Sequence, residues 1–74
     1  MEHAILALLR ERDGGTICPS EAARKLEPDG WRSRMNDVRD AGRRLESRGQ
    51  ILICQRGHIV DGAHAKGPIR YRLA

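Results

Sequence analysis

Apolar residues along the chain fall into five clusters, and their spacing changes from helical to extended about two-thirds of the way along. In residues 2 to 12, Ile5, Leu8 and Leu9 share one side with Leu6 widening the stripe, which predicts an amphipathic helix. Glu2 suits the positive end of its dipole and Arg10 and Arg12 the negative end. Asp13-Gly14-Gly15 ends it, and Thr16-Ile17-Cys18 is a short extended piece. Pro19 opens a second helix at the first position, where its missing N–H has no helical partner to lose. Cys18 is then the N-cap, Glu21 stands where a capping box has its acid, and Ala22, Ala23 and Leu26 form the buried side. Glu27-Pro28-Asp29-Gly30 is the exit turn.

Trp31, Met35, Val38, Gly42 and Leu45 follow at spacings of four, three, four and three, a helical seam that faces a core, with Trp31 as its large anchor. Asn36-Asp37 can act as a fresh N-cap, so residues 31 to 48 are either one helix or two joined at Asn36. Gly42 on the seam predicts close approach of another element, since glycine costs nearly 1 kcal/mol against alanine in a helix. After Gly49 the period changes. Ile51 to Cys54 is a β-branched apolar run of strand length. His58-Ile59-Val60 either continues it past a bulge or pairs back across Arg56-Gly57 as a tight hairpin, and continuation is the favoured reading. Asp61 to Gly67 reads as a loop, and Ile69, Tyr71 and Leu73 alternate with Arg70 and Arg72 in a last strand.

That order predicts a single α+β domain over residues 1 to 74. It is the order of a winged helix-turn-helix, with three helices, a short first strand and a C-terminal β-hairpin wing at residues 56 to 67. A three-helix domain with a loose C-terminal hairpin uses nearly the same elements. A chain of 74 residues with Trp31 and Tyr71 as its two aromatics builds its core from Ile, Leu, Val and Ala.

Charge alters the picture through its distribution. Residues 1 to 30 carry four bases against six acids, and residues 31 to 74 carry ten bases against four acids. A basic half favours an anionic partner, with double-stranded DNA the expected one. Arg32, Asn36, Arg39 and Arg43 fall on one side of the third helix, about 100° round from the apolar seam. Arginine and asparagine are the side chains that pair bidentately with guanine and adenine edges. Arg44, Arg56, Lys66, Arg70 and Arg72 are the expected phosphate contacts. The competing reading is a solvated charged face in which Asp40 pairs with Arg44 and Glu46 with Arg43. Single-stranded nucleic acid is disfavoured, because both aromatics are claimed by the core.

The blocks Ile17-Cys18-Pro19-Ser20-Glu21 and Lys66-Gly67-Pro68-Ile69-Arg70 resemble a small bacterial family of domains of unknown function. The likeness continues through Trp31-Arg32, Met35, Val38-Arg39, Leu45, Gly49, Ile51, Gln55-Arg56-Gly57 and Val60-Asp61. It implies a winged-helix-like fold and carries no biochemical activity with it. In some relatives a cysteine-rich, zinc-binding segment sits alongside, which this chain lacks, and a proline often stands at the position of Asn36, supporting a helix restart there.

Other chemistry is expected to be absent. Cys54, His58 and His64 form a C-x3-H-x5-H string, but on a strand and a loop that do not converge, so no metal is expected. No nucleophile–base constellation, paired carboxylate or phosphate-binding glycine loop stands out, so neither enzymatic activity, a cofactor nor a small-molecule substrate is expected. Cys18 at a helix N-terminus is a minor candidate for a reactive thiol. No apolar run is long enough to cross a membrane and the two cysteines form no framework, which makes the cytoplasm the expected compartment. The alternative function is a protein-interaction module, docking on a partner or on a second copy as a homodimer.

Overall fold

The computed structural model describes residues 1–74 and is α+β, with three helices on one face of a four-stranded antiparallel sheet. The elements are α1 (Glu2–Glu11), β1 (Thr16–Ile17), α2 (Pro19–Leu26), a 3-10 turn (Trp31–Arg34), α3 (Met35–Ser47), β2 (Ile51–Gln55), β3 (His58–Val60) and β4 (Arg70–Leu73). The sheet order is β1-β4-β2-β3. No helix is long and apolar enough to cross a membrane.

Each helix buries the stripe its spacing dictates. Ile5 and Leu9 of α1, Ala22 and Ala23 of α2, and Val38, Ala41 and Leu45 of α3 meet Ile17, Ile51, Ile53 and Tyr71 of the sheet in one core. Burial of a large apolar side chain contributes roughly 1.5 to 3 kcal/mol, so these few residues hold most of the fold's stability. Strand alternation does the sorting. Ile53 is opposite Tyr71 and Tyr71 is opposite Ile17, all facing the helices, while Leu52, Arg72 and Thr16 line up on the outer face.

Several expectations change. The aromatic anchor of the core is Tyr71, fully buried, whereas Trp31 is half-buried at its edge. Leu26, expected on the buried side of α2, is 42% exposed at the last residue of that helix. Residues 31 to 47 divide into a 3-10 turn and an α-helix, with the join at Arg34–Met35 rather than at Asn36. Arg34 keeps helical dihedrals and makes no side-chain cap, so hydrogen-bond spacing changes there without the chain leaving the helix.

The larger correction concerns His58–Val60, which does not continue β2. It folds back on it, with Gln55 opposite His58, Cys54 opposite Ile59 and Ile53 opposite Val60. Arg56 and Gly57 form the two-residue turn, at φ of 51° and 82°. Two positive φ values give the turn whose twist matches that of antiparallel strands, and Gly57 takes one of them without steric cost. The segment between β2 and β4 is therefore not a simple hairpin loop. β2 and β4 are hydrogen-bonded neighbours, and the chain joining them adds β3 to the outer edge of β2 before returning.

Candidate nucleic-acid interface

Arg39 stands on α3 beside the loop that joins β3 to β4. On α3 the buried positions Val38, Ala41, Gly42 and Leu45 define one side, so helical geometry turns Asn36, Asp40 and Arg43 toward solvent. Arg39 and Glu46 occupy the flank beside the loop between β3 and β4, and Arg44 the opposite flank beside α1. A cleft between α3 and that loop is lined by Asn36, Arg39, Asp40 and Arg43 on one wall and by Gly62, Ala63, Ala65, Gly67 and Ile69 on the other.

The loop has a built shape. Asp61 accepts hydrogen bonds from the backbone of Ala63 at 3.0 Å and contacts His64 Nδ1 at 2.7 Å. These bonds hold its carboxyl below the usual aspartate range, the His64 contact contributing most. Gly62 N donates to Glu46 of α3 at 3.0 Å, which fixes the cleft's width. At the other end Gln55 Nε2 donates to the carbonyls of Lys66 and Pro68, tying the loop to β2.

A second depression, lined in part by Cys18, Pro19, Met35 and Arg39, shares Gly67 and Ile69 with the first. A third brings Arg56, His58, Lys66 and Arg70 around Gln55 and shares Pro68 and Ile69 with the second. The three adjoin through these shared residues as a trough whose first part holds Arg43, Asn36 and Arg39 and whose last part, reaching the outer sheet face at Arg70, holds Lys66 and Arg56.

Of the residues expected from the sequence, Asn36, Arg39, Arg43, Arg56, Lys66 and Arg70 border this trough. Arg70 is partly engaged, donating to Thr16 Oγ1 at 2.6 Å. Arg32 lines none of the three depressions and stands on the 3-10 turn, its guanidinium carbon 4.4 Å from the centroid of the Trp31 ring. Arg72 is elsewhere, and Arg44 lines a neighbouring depression with Asp40, Arg43 and Asp61 while its guanidinium is engaged by another element. Arg44 donates to Glu2 of α1 at 2.9 Å, and Arg48 contacts the same carboxylate. Arg72 lies on the outer sheet face beside Leu52 and Thr16.

The expected Asp40–Arg44 and Arg43–Glu46 pairs do not form. Arg44 has turned to Glu2, and Glu46 accepts from the loop instead. The guanidinium groups of Arg39 and Arg43 make no hydrogen bond or ion pair, in contrast to Arg12 with Glu21 and Arg34 with Glu27. Asp40 also stands on this face without a cationic partner and lowers its positive potential. One basic residue was missed from the sequence: Arg24 of α2, which lies 4.4 Å from the same indole centroid as Arg32. A base at 24 and a tryptophan at 31 carry no spacing signal across a turn, so only the fold joins them.

Cys18 donates from its thiol to Glu21 Oε1 at 3.4 Å. Burial pushes the Glu21 carboxyl up, but the Cys18 thiol and backbone N–H and the nearby Arg12 bring it below the usual range overall. The acid's half of the capping box thus forms, with Glu21 accepting from the Cys18 backbone, while the thiol gives a hydrogen bond to Glu21 instead of accepting one from the helix. Cys54, His58 and His64 do not meet, and no group of three His, Cys, Asp or Glu side chains gathers in the fold.

A family model described as "Protein of unknown function (DUF3253)" matches residues 1–74, and the chain belongs to that family. No curated protein matches it.

Proposed function

We propose that this DUF3253 protein is a winged helix-turn-helix module that binds double-stranded DNA, with α3 in the major groove and the β3–β4 loop on the backbone. The order of β1, β4 and β2 supports the winged reading, because the strand after α1 pairs with the last strand, and the last strand with the one after α3. β3 is then an addition to the wing. The observation that carries the proposal is the trough itself, in which Arg39 and Arg43 make no ion pair, although Asp40 and Asp61 stand near them, while other arginines of the fold are paired. Unpaired guanidinium forks can reach base edges or phosphates without first breaking an internal ion pair.

In this reading Asn36, Arg39 and Arg43 contact bases, and Arg56, Lys66 and Arg70 contact phosphates. The module acts by binding and carries out no chemistry of its own. Fluorescence anisotropy with a labelled duplex, at about 50 mM and about 200 mM salt, tests it. Binding with a steep salt slope is expected, because neutralised phosphates release counterions. Arg39→Ala and Arg43→Ala are each expected to weaken binding to a preferred sequence by about 1 to 3 kcal/mol. Absence of binding at the lower salt would rule the proposal out.

A second reading is supported by Ile59, 61% exposed on β3, the strand at the sheet's outer edge. An open edge with an apolar side chain can pair with another chain. Size-exclusion chromatography of wild type and Ile59→Lys separates the two: self-association that the lysine abolishes supports docking through this edge, and a monomer in both cases counts against it.

A further inference from the structure

Two guanidinium groups share one indole. Arg24 of α2 and Arg32 of the 3-10 turn each place Cζ 4.4 Å from the centroid of Trp31, so the two charges lie no farther apart than twice that distance. Neither guanidinium makes an ion pair or hydrogen bond with the protein, and both residues are exposed. Trp31 is half-buried against the core, so it is a fixed platform.

Stacking uses the flat face of a guanidinium and leaves its in-plane N–H donors free, and those donors are the fork that matches a phosphate. An arginine stacked on indole is held near one orientation and gives up less side-chain freedom on binding than a free one. Both cations lack a counter-charge in the protein, and a phosphate that reaches their exposed donor edges supplies it.

We propose that Arg24, Trp31 and Arg32 form a preorganised clamp for a backbone phosphate of double-stranded DNA, at the N-terminal end of α3 and outside the trough. This rests on the DNA-binding reading above and extends it to α2, with Trp31 as the positioning residue. The 3-10 turn runs directly into α3, so a phosphate held there fixes how far the N-terminal turn of α3 enters the groove. Holding α3 at this point and at the loop sets both its tilt and its depth.

Trp31 is the chain's one tryptophan, so its fluorescence reports this site alone. A labelled duplex is titrated into wild type, Arg24→Ala, Arg24→Lys and Trp31→Leu over a series of salt concentrations, following anisotropy and, where Trp31 is retained, its emission. Wild type is expected to bind with a change in Trp31 emission that saturates with the anisotropy. Arg24→Ala is expected to weaken binding several-fold on any sequence and to lower the magnitude of the salt slope by about 1. Arg24→Lys keeps the charge without the fork and is expected to restore the slope but only part of the affinity. Trp31→Leu keeps both charges and loses their platform, so it is expected to weaken binding while the slope stays near that of wild type. Thermal melts of the variants confirm that each is folded under the conditions used. Duplex binding with a wild-type slope in Arg24→Ala and unchanged Trp31 emission at saturation overturns the clamp and leaves the trough standing. Failure of wild type to bind any duplex overturns both.

Discussion

Tyr71 carries the main conflict in the core. Its ring is fully buried between α3 and the sheet, and its hydroxyl has no hydrogen-bond partner. Burial pushes its pKa up to about 12, with Arg39 opposing and Glu46 adding to the shift. An unsatisfied buried hydroxyl costs about 1 to 3 kcal/mol, so Tyr71→Phe is expected to be neutral or to stabilise the fold by up to about 1 kcal/mol in a urea melt. The pH dependence has a definite sign. Below pH 10 both folded and unfolded states hold the phenolic proton. Between about 10 and about 12 the unfolded chain releases it first, so the stability of wild type is expected to fall by roughly 2 to 3 kcal/mol more than that of Tyr71→Phe. Tyr71 is the chain's one tyrosine, so phenolate absorbance follows its titration directly. Gly42 is part of the same packing, since a methyl group there would meet the Tyr71 hydroxyl and ring. Gly42→Ala is expected to destabilise by about 1 to 3 kcal/mol despite alanine's better helix propensity, measured by the same melt. A glycine on an apolar seam signalled this close approach in the sequence, and strand alternation pointed Tyr71 inward. That Tyr71 rather than Trp31 is the central aromatic was not legible, because periodicity assigns a face but not a depth along it.

Among the elements, α1 and α3 are joined by a carboxylate with two guanidinium partners. Glu2 accepts from Arg44 and Arg48, and these bonds, Arg44's first, hold its carboxyl below the usual range. A depressed folded pKa stabilises above the unfolded value and is lost as pH falls through the folded one. Glu2→Gln is therefore expected to lose less stability than wild type as pH drops below about 4.5, seen in melts across that range. It also frees two arginines, and duplex affinity at low salt is expected to rise slightly. The β2–β3 turn separates stability from binding in one substitution. Arg56→Asn gives Asn-Gly, the pair this turn geometry prefers, and removes a cation beside Lys66. Stability is expected to rise by a few tenths of a kcal/mol, judged against the strain of a non-glycine residue at positive φ, while duplex affinity falls. The three helices and the last strand were readable from spacing within a few residues. The hairpin was not, because Gln-Arg-Gly-His fits a bulged continuation as well as a reversal, and the choice is made by the open edge of β2. Leu26 was misplaced for a similar reason: helical periodicity continues to the last residue whether or not a neighbour remains to cover it.

At the scale of the whole molecule, the fold concentrates charge that the sequence only apportions between halves. It turns Arg44 and Arg48 to Glu2 and Arg34 to Glu27, leaving Arg39, Arg43, Arg56 and Lys66 along one trough. Asp40 is the exception on that surface. Asp40→Asn is expected to tighten duplex binding several-fold at low salt and less at high salt, since the effect of a lone exposed charge is screened. Anisotropy titrations at two salt concentrations check this, and unchanged affinity would place the duplex away from this face of α3. The basic side of α3 was visible in the sequence, but the indole clamp and the partners of Arg44 were not, since each joins residues on separate elements.

β1 and β2 are not hydrogen-bonded to each other, and β4 lies between them with partners as far back as Thr16, bonded through Arg70. During synthesis, α1 through β3 can leave the ribosome and form their helices and hairpin, but β1 has no strand to join until residues 70 to 73 emerge. Closure of the domain is therefore a late event with a long loop to close, and the nascent chain carries its apolar inner face uncovered until then.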